Sequence, residues 1–572
     1  MNTNLREKEH KDVGEDVYDY YESLTERVMG GEFQNVSFLS FDSSEPPCPI
    51  GPGQFTRLKL TDSSCQITSF ENSFIQLEIT ATFNIRHIST TAEGSDNFFT
   101  RIESDYRSRA ENIGIELMNV PFFYVGFKSG IQCIDHYRFY NSFHAGPLCE
   151  QSQAIYESAL TFMTKAQEEI EGKIARYAVE DEINNCKEDI PGFYLTLRDL
   201  YDARDTNTIQ KTFTVNIPYD DFAPLQFFKN YPNVICGDLQ IEFKINNNKN
   251  MVIFPLDFET AVKKYMRDNT AVREYNEKED RNGGVTLLYA SLQHKLKQCF
   301  TNLGDTCRTY YYYPSFDSFD NLSTAKRDAI FNFIPEIWEL TCTCGPLTLK
   351  SAKSFINCYN VPHETHEKLR NLLTSTKIYI PGQRIDQYTF SQLPTVSSMN
   401  CNTTQSFVNC SSLAFTWPRS PNELTCSVNP RMTSIQLQID NKTYPDKPFD
   451  TRSFEHSNYI LTNLMFDDFF KPNKGLERAL SKRLETEDNT NYAFVVSLER
   501  LDSSPFVFEG LTKDNCYITL NGTFDSASPY STLNTRQNPI MFVCQDTLWE
   551  LSAGDLNYYY NDRTIIPRIT NI

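Results

Sequence analysis

His363-Glu364-Thr365-His366 places side chains capable of metal chemistry close together and resembles a zinc-protease helix at first glance. The spacing is wrong for a zinc-protease helix. HExxH puts two histidines at i and i+4 so that both rings meet one ion, whereas these two are three apart. The segment reads as a polar helix turn after Pro362, a helix expected over Pro362 to Leu373 with proline in its first turn. Cys342-Thr343-Cys344 puts two thiols on one face of a strand. A metal would need two further ligands in reach and the sequence indicates none, so they read as buried thiols. Tyr310 to Tyr313 would suit base stacking if cations were interleaved, but only Arg308 is near. Packing at a half-wet surface is the better reading.

Phosphate and acyl-transfer motifs fare no better. The chain has no G-x-x-x-x-G-K-[ST] loop, and Gly51-Pro52-Gly53 does not continue as a dinucleotide fingerprint. Gly126-Phe127-Lys128-Ser129-Gly130 is not G-x-S-x-G. None of the eight histidines stands in a recognised catalytic setting. The separation of carboxylates such as Asp220 and Asp221 is not set by their adjacency in sequence. The expectation is therefore a non-enzyme, with no catalytic, cofactor-binding or metal residue to assign and no cofactor.

The elements that would have to position any such chemistry are mostly strands. With 572 residues, two to four domains are expected. The 42 Phe and 31 Tyr against 3 Trp favour pleated, half-buried surfaces. The net charge of −20 argues against a basic surface for nucleic-acid phosphates. No run of 18 apolar residues occurs. The polar, acidic N-terminus reads as lacking a secretory signal, so a reducing compartment and free core thiols are expected for the 16 cysteines, none of which forms C-x-x-C.

Ile75, Leu77, Ile79, Ala81, Phe83 and Ile85 alternate with polar residues, the period of a strand with one buried face. The pattern returns at Phe213/Val215/Ile217, Leu239/Ile241/Phe243/Ile245, Ile435/Leu437/Ile439, Phe494/Val496/Leu498 and Cys516/Ile518/Leu520. One-face burial is typical of antiparallel sheets, and two sheets stacked on their apolar faces would satisfy all of these strands. Helical spacing marks 151–185, 256–300 is charged and helix-prone, and a short helix is expected at Pro224 to Asn230. Strands separated by long insertions fit a jelly roll and not an immunoglobulin domain.

Three passages carry a resemblance to double jelly-roll major capsid proteins of Polinton/Maverick elements, virophages and related dsDNA viruses. The first runs from Phe122 to Asn141, similar to the family's paired strands followed by a stretch leaving the sheet toward a helix. The second is Thr212 to Ile245, a strand, an acidic turn with a short helix, and a further strand after Gly237. The third is the C-terminal block: Ile435 to Pro448, Phe494 to Thr523 and a closing strand from Pro539 to Cys544.

The resemblance implies a mainly β fold of two tandem eight-stranded jelly-roll domains with helical and loop insertions. Residues 1–52 are then an N-terminal arm, flexible or short-helical, that tucks under a neighbouring capsomer. Residues 53–255 are the first jelly roll, 256–345 a mixed helical insertion or linker, 346–560 the second jelly roll and 561–572 a tail. It implies a major capsid protein whose homotrimers have a pseudo-hexagonal outline and tile an icosahedral shell. The implied partners are the chain itself, neighbouring capsomers, and minor capsid and penton proteins. The shell interior would face an internal membrane or the genome, without direct sequence-specific nucleic-acid binding. The implied location is the virion, assembled in host cytoplasm or nucleus. Two competing readings are a penton or spike, which needs only one jelly roll, and a glycan-binding or glycan-cleaving β-sandwich, which needs a cleft with convergent acids and aromatics.

Overall fold

A computed structural model describes residues 17–25, 34–41, 48–89, 121–127, 130–152, 191–196, 199, 203, 206–225, 228–248, 251–255, 308–309, 338–417, 430–451, 453, 493–498, 510–526, 528 and 538–559. The tyrosine run at 310–313 and the charged segment at 256–300 lie outside the described residues, as does the segment 151–185, read as helical, beyond its first two residues, which end a strand.

In chain order, the first part of the molecule contains helix α1 (residues 17–25) and strands β1 (Gln34–Phe41), β2 (Thr56–Lys59), β3 (Ile67–Ser89), β4 (Pro121–Gly126), β5 (Ile134–Asn141), β6 (Pro147–Ser152), β7 (Gly192–Thr196) and β8 (Thr208–Pro218). There follow β9 (Asn230–Tyr231), helix α2 (Asn233–Cys236), β10 (Leu239–Ile245), β11 (Val252–Pro255), β12 (Arg308–Thr309), β13 (Trp338–Cys344) and β14 (Thr348–Asn360). Helix α3 (His363–Ser375) then leads to β15 (Ile378–Thr389), β16 (Ser398–Thr416), β17 (Met432–Ile439), β18 (Lys442–Phe449), β19 (Ala493–Ser497), β20 (Leu511–Phe524), β21 (Ile540–Ser552) and β22 (Asp555–Tyr559).

The fold is mainly β in two blocks, the fold class expected from the alternating patterns. The long strand β3 is the spine of the first block. It pairs antiparallel with β14 and β13 along one edge and with β8 and β9 along the other, and β1 adds outside β14. A second sheet runs β2-β10-β5-β6, and a third runs β12-β11-β4-β7. The expected alternation is present in detail. Ile75, Leu77, Ile79, Ala81 and Phe83 are fully buried and pack in one cluster with Tyr137 and Phe139 of β5 and Ile241 and Phe243 of β10. The β3 sheet and the β2-β10-β5-β6 sheet thus cover each other's apolar face.

The second block is one eight-stranded sheet, β15-β21-β16-β20-β17-β18, with β19 on β16 and β22 on β21. It curls because β16 changes partners along its length. Residues 398–410 pair with β20, then 410–416 pair with β21 while 412–416 also pair with β19. Register shifts between Gln405 and Ser412 mark the bend, as bulges do. Asn409, at φ 49°, lies within it. The two halves close over Phe407, Leu413, Phe415, Leu437, Val496 and Leu520.

Several expectations change. Residues 348–360 fall after the expected boundary at 346, yet β14 pairs with β3 and β1 of the first block. The strands read as a pair in 122–141 are in different sheets, β4 against β7 and β11, β5 against β10 and β6. A 3-10 turn at Ile131–Cys133 redirects the chain between them, and β5 ends in a turn leading to β6 rather than in a helix. The helix expected at Pro224 to Asn230 is a 3-10 turn, Ala223–Leu225, followed by β9. The helix expected after Pro362 is α3, with Pro362 at its N-cap. The arm is also anchored on its own chain: Tyr21 is buried and donates to the Asn230 carbonyl at 2.6 Å, Glu22 pairs with Lys229 at 3.2 Å, and β1 extends the β3 sheet.

Candidate functional site

Two regions stand out by their geometry. One is the seam joining the blocks, and the other is the outward face of the β2-β10-β5-β6 sheet.

The seam is built from the paired strands β15 and β21, which run together from Ile378↔Leu551 to Thr389↔Ile540. Both strands change cores along their length. Met541, Phe542, Val543 and Cys544 of β21 and Ile385 of β15 pack in the second core, whereas Trp549, Leu551, Ile378 and Ile380 pack in the first. Trp549 is the anchor. Its ring lies against Phe139 at 6.4 Å, Phe228 at 6.0 Å and Tyr558 at 4.5 Å between centroids. Its Nε1 donates to the Pro224 carbonyl at 2.5 Å, satisfying the indole N–H in a dry site. Gly382 lets β15 come this close: a Cβ there would meet the Pro224 oxygen at 2.9 Å and Thr547 Oγ1 at 3.0 Å.

Polar contacts close the seam's edges. Gln151 Nε2 donates to the Ile385 carbonyl at 2.5 Å, Gly554 N to Ile235 O at 2.9 Å, and Ala553 N to Leu373 O at 3.0 Å. His144 lies 2.8 Å from Asp555. Glu550 is buried but paired with Lys377 at 2.8 Å, which compensates its desolvation. Burial pushes the neighbouring Tyr379 hydroxyl up to about 12, with the Glu550 carboxylate adding to the shift.

The outward face presents a single row of alternating charge. Arg57, Glu242, Arg138 and Glu150 stand directly opposite one another across β2, β10, β5 and β6. Arg57 donates to Glu242 at 3.1 Å, and Arg138 reaches Glu242 at 3.4 Å and Glu150 at 3.0 Å. Tyr140 donates its hydroxyl to Glu242 at 3.0 Å, under the Arg57 guanidinium 4.0 Å above its ring. Phe55 carries Arg138 at 4.8 Å and meets the His136 ring edge-on at 5.2 Å. Opposite charges directly across neighbouring strands stabilise the pairing.

The charges set each other's protonation. Burial opposes ionisation of Glu150, but hydrogen bonding and charge from Arg138, with His136 beside it, outweigh this and hold its carboxyl below the ordinary range. The Arg138 guanidinium is held further up, first by its hydrogen bond to Glu150. His136 Nε2 lies 2.7 Å from Glu150 without good hydrogen-bond geometry, and burial wins there, lowering its pKa.

The motifs singled out in sequence do not converge. His363 is exposed at the start of α3, and Glu364 pairs with Lys368 at 2.8 Å. Burial is the largest influence on His366 and lowers its pKa. Cys344 is buried on β13, and Asp220 and Asp221 sit exposed in a 3-10 turn. Among the described residues no three His, Cys, Asp or Glu side chains are grouped to hold a metal, and no helix is long and apolar enough to cross a membrane. Buried thiols such as Cys133 and Cys236 are pushed up by burial, which disfavours the reactive thiolate. Sequence reasoning missed both regions. The seam's one local signal was Trp549 two residues before Leu551, and the charged row had none.

A mainly β chain of two largely antiparallel blocks sharing one strand pair is therefore the class that the fold defines. No protein-family model matches the sequence, and no curated protein matches it. Among solved structures, the chain is similar to a chain of the Sputnik virophage (TM-score 0.46, 9% identity, covering 94% of this chain and 91% of that one). It is also similar to the mavirus major capsid protein (TM-score 0.43, 9% identity, 94% and 92% covered) and the Faustovirus major capsid protein (TM-score 0.41, 8% identity, 95% and 98% covered).

Proposed function

We propose that the chain is a non-enzymatic major capsid protein. In this reading each block is one jelly roll, and homotrimers with a pseudo-hexagonal outline tile the icosahedral shell of a dsDNA virus or virus-like element. The observation that carries the proposal is the seam. A strand pair shared by both cores and closed over Trp549 makes two β-blocks into one stiff unit. Three such units would offer six β-lobes, which is the repeat a flat hexagonal lattice needs. The alternating charge row adds a neutralised, orientation-specific surface suited to contact with another polar protein face, where charge fixes register more than it adds affinity.

The β architecture of the second block favours this over a penton or spike, for which a single roll suffices. Neighbouring capsomers and minor capsid and penton proteins are the proposed partners, and the virion is the proposed location. Negative-stain imaging of the purified full chain tests the proposal. Hexagonal particles of uniform size are expected; single two-lobed particles at every concentration would overturn it.

A further inference from the structure

The thiols of Cys65 and Cys358 lie 2.8 Å apart, both buried, in a small apolar cluster completed by Ile356. That separation is inside the distance two unbonded sulfurs normally keep, and a movement of about 0.8 Å would bring them to bonding distance. We propose that Cys65 and Cys358 form a redox-controlled disulfide that staples the turn before β3 to β14. The inference needs only the two thiols and stands without the shell reading.

The surroundings hold the pair in place. Asn233, itself buried, donates through Nδ2 to the backbone carbonyls of Asp62 at 2.6 Å and Cys65 at 2.7 Å, fixing the turn that carries Cys65. On the other side of the pair, Gln66 N donates to Asn360 Oδ1 at 2.9 Å and Val361 N donates to Gln66 Oε1 at 2.8 Å. Cys358 stands opposite Thr68 of β3 and Ser37 of β1, so the bond would lock the strand onto which the N-terminal arm adds. The pair lacks a third His, Cys, Asp or Glu among the described residues to make a metal site. Access comes through the turn itself, because Ser63 and Ser64 immediately before Cys65 are exposed and a local opening there uncovers its sulfur. Burial pushes the Cys358 thiol up, with the Cys65 hydrogen bond adding to it, so the reaction is slow until that opening occurs.

The chemistry balances with an oxidised low-molecular-weight disulfide of the glutathione class as co-reactant. The Cys65 thiolate attacks one of its sulfurs and releases one small thiol. The Cys358 thiolate then attacks the mixed disulfide at Cys65 Sγ and releases the second. One Sγ–Sγ bond forms, the small disulfide's bond breaks, and two protons and two electrons pass to the small thiols.

The test is to hold the native full chain in increasing ratios of oxidised to reduced glutathione, quench with an alkylating reagent and map peptides without reduction. The expected result is a linked pair of peptides containing Cys65 and Cys358, a mass loss of two hydrogens and faster migration on a non-reducing gel. The mobility shift is expected to disappear in C65S and in C358A. The oxidised protein should melt about 5 °C above the reduced one, with no such difference in the double variant. A stable glutathione adduct on either cysteine, a different pairing, or thiols that stay alkylatable under conditions that oxidise the urea-unfolded chain would overturn the proposal. If the variants fail to fold, the wild-type peptide map decides alone.

Discussion

The seam and the charged face are each built on strands opposite one another, yet they work in different ways. The seam is buried: Trp549, Phe139 and Ile380 are almost wholly enclosed, and Trp549 Nε1 and the backbone N–H groups of Ala553 and Gly554 find acceptors on neighbouring elements. The face is wet, with Arg57 38% and Glu150 42% exposed in their side chains, so water screens each pair. The difference teaches which contact carries stability. Area removed from water fuses the blocks, whereas half-exposed, screened charge pairs add little energy.

The largest effect is expected from breaking the seam. Trp549→Ala removes a fully buried ring and leaves the Pro224 carbonyl without its donor, at a cost of about 3–5 kcal/mol. Calorimetry is expected to show one transition in the wild type and a split or strongly lowered one in the variant. Gly382→Val pushes a branched side chain into the Pro224 oxygen and Thr547, and about 1–3 kcal/mol of destabilisation by urea titration is expected. Equal stability of wild type and either variant would show that the blocks are joined elsewhere.

The face should respond more weakly and in a salt-dependent way. Glu242→Gln removes the charge shared by Arg57 and Arg138, and a loss of about 1 kcal/mol or less is expected, shrinking as salt is raised. A loss as large as that of Trp549→Ala would erase the distinction between the two regions.

Acid should sharpen the same comparison. His136 and His366 have folded-state pKa values below the ordinary 6.5, so the unfolded chain binds their protons first and stability falls as pH drops below about 6.5. Glu150 on this face and Glu78 on β3 are held below 4.5, Glu78 first by its hydrogen bond from Lys350. Their contribution is present above 4.5 and is lost as pH falls through the lower folded values. Denaturation midpoints measured against pH are expected to decline in those two steps. In His136→Gln the upper step should shrink.

How much of this was legible depends on where each residue's partner lies. β3, β8 and β10 could be read because one face stays wet and the period of two survives. The closing strand could be read only to Cys544. β21 is buried on both faces along nearly its whole length, so it shows no alternation, and beyond Cys544 the polar Gln545, Asp546, Thr547 and Glu550 interrupt the apolar run that marked its first half. No local pattern says which block β14 joins, because its partner β3 lies far back in the chain. The charged row was invisible for the same reason: Arg57 and Glu242 are 185 residues apart.

Light scattering on the full chain at micromolar concentration tests the central claim most directly. The account predicts one species of three times the chain's mass that survives moderate salt. A species of one chain mass over the whole concentration range would contradict it.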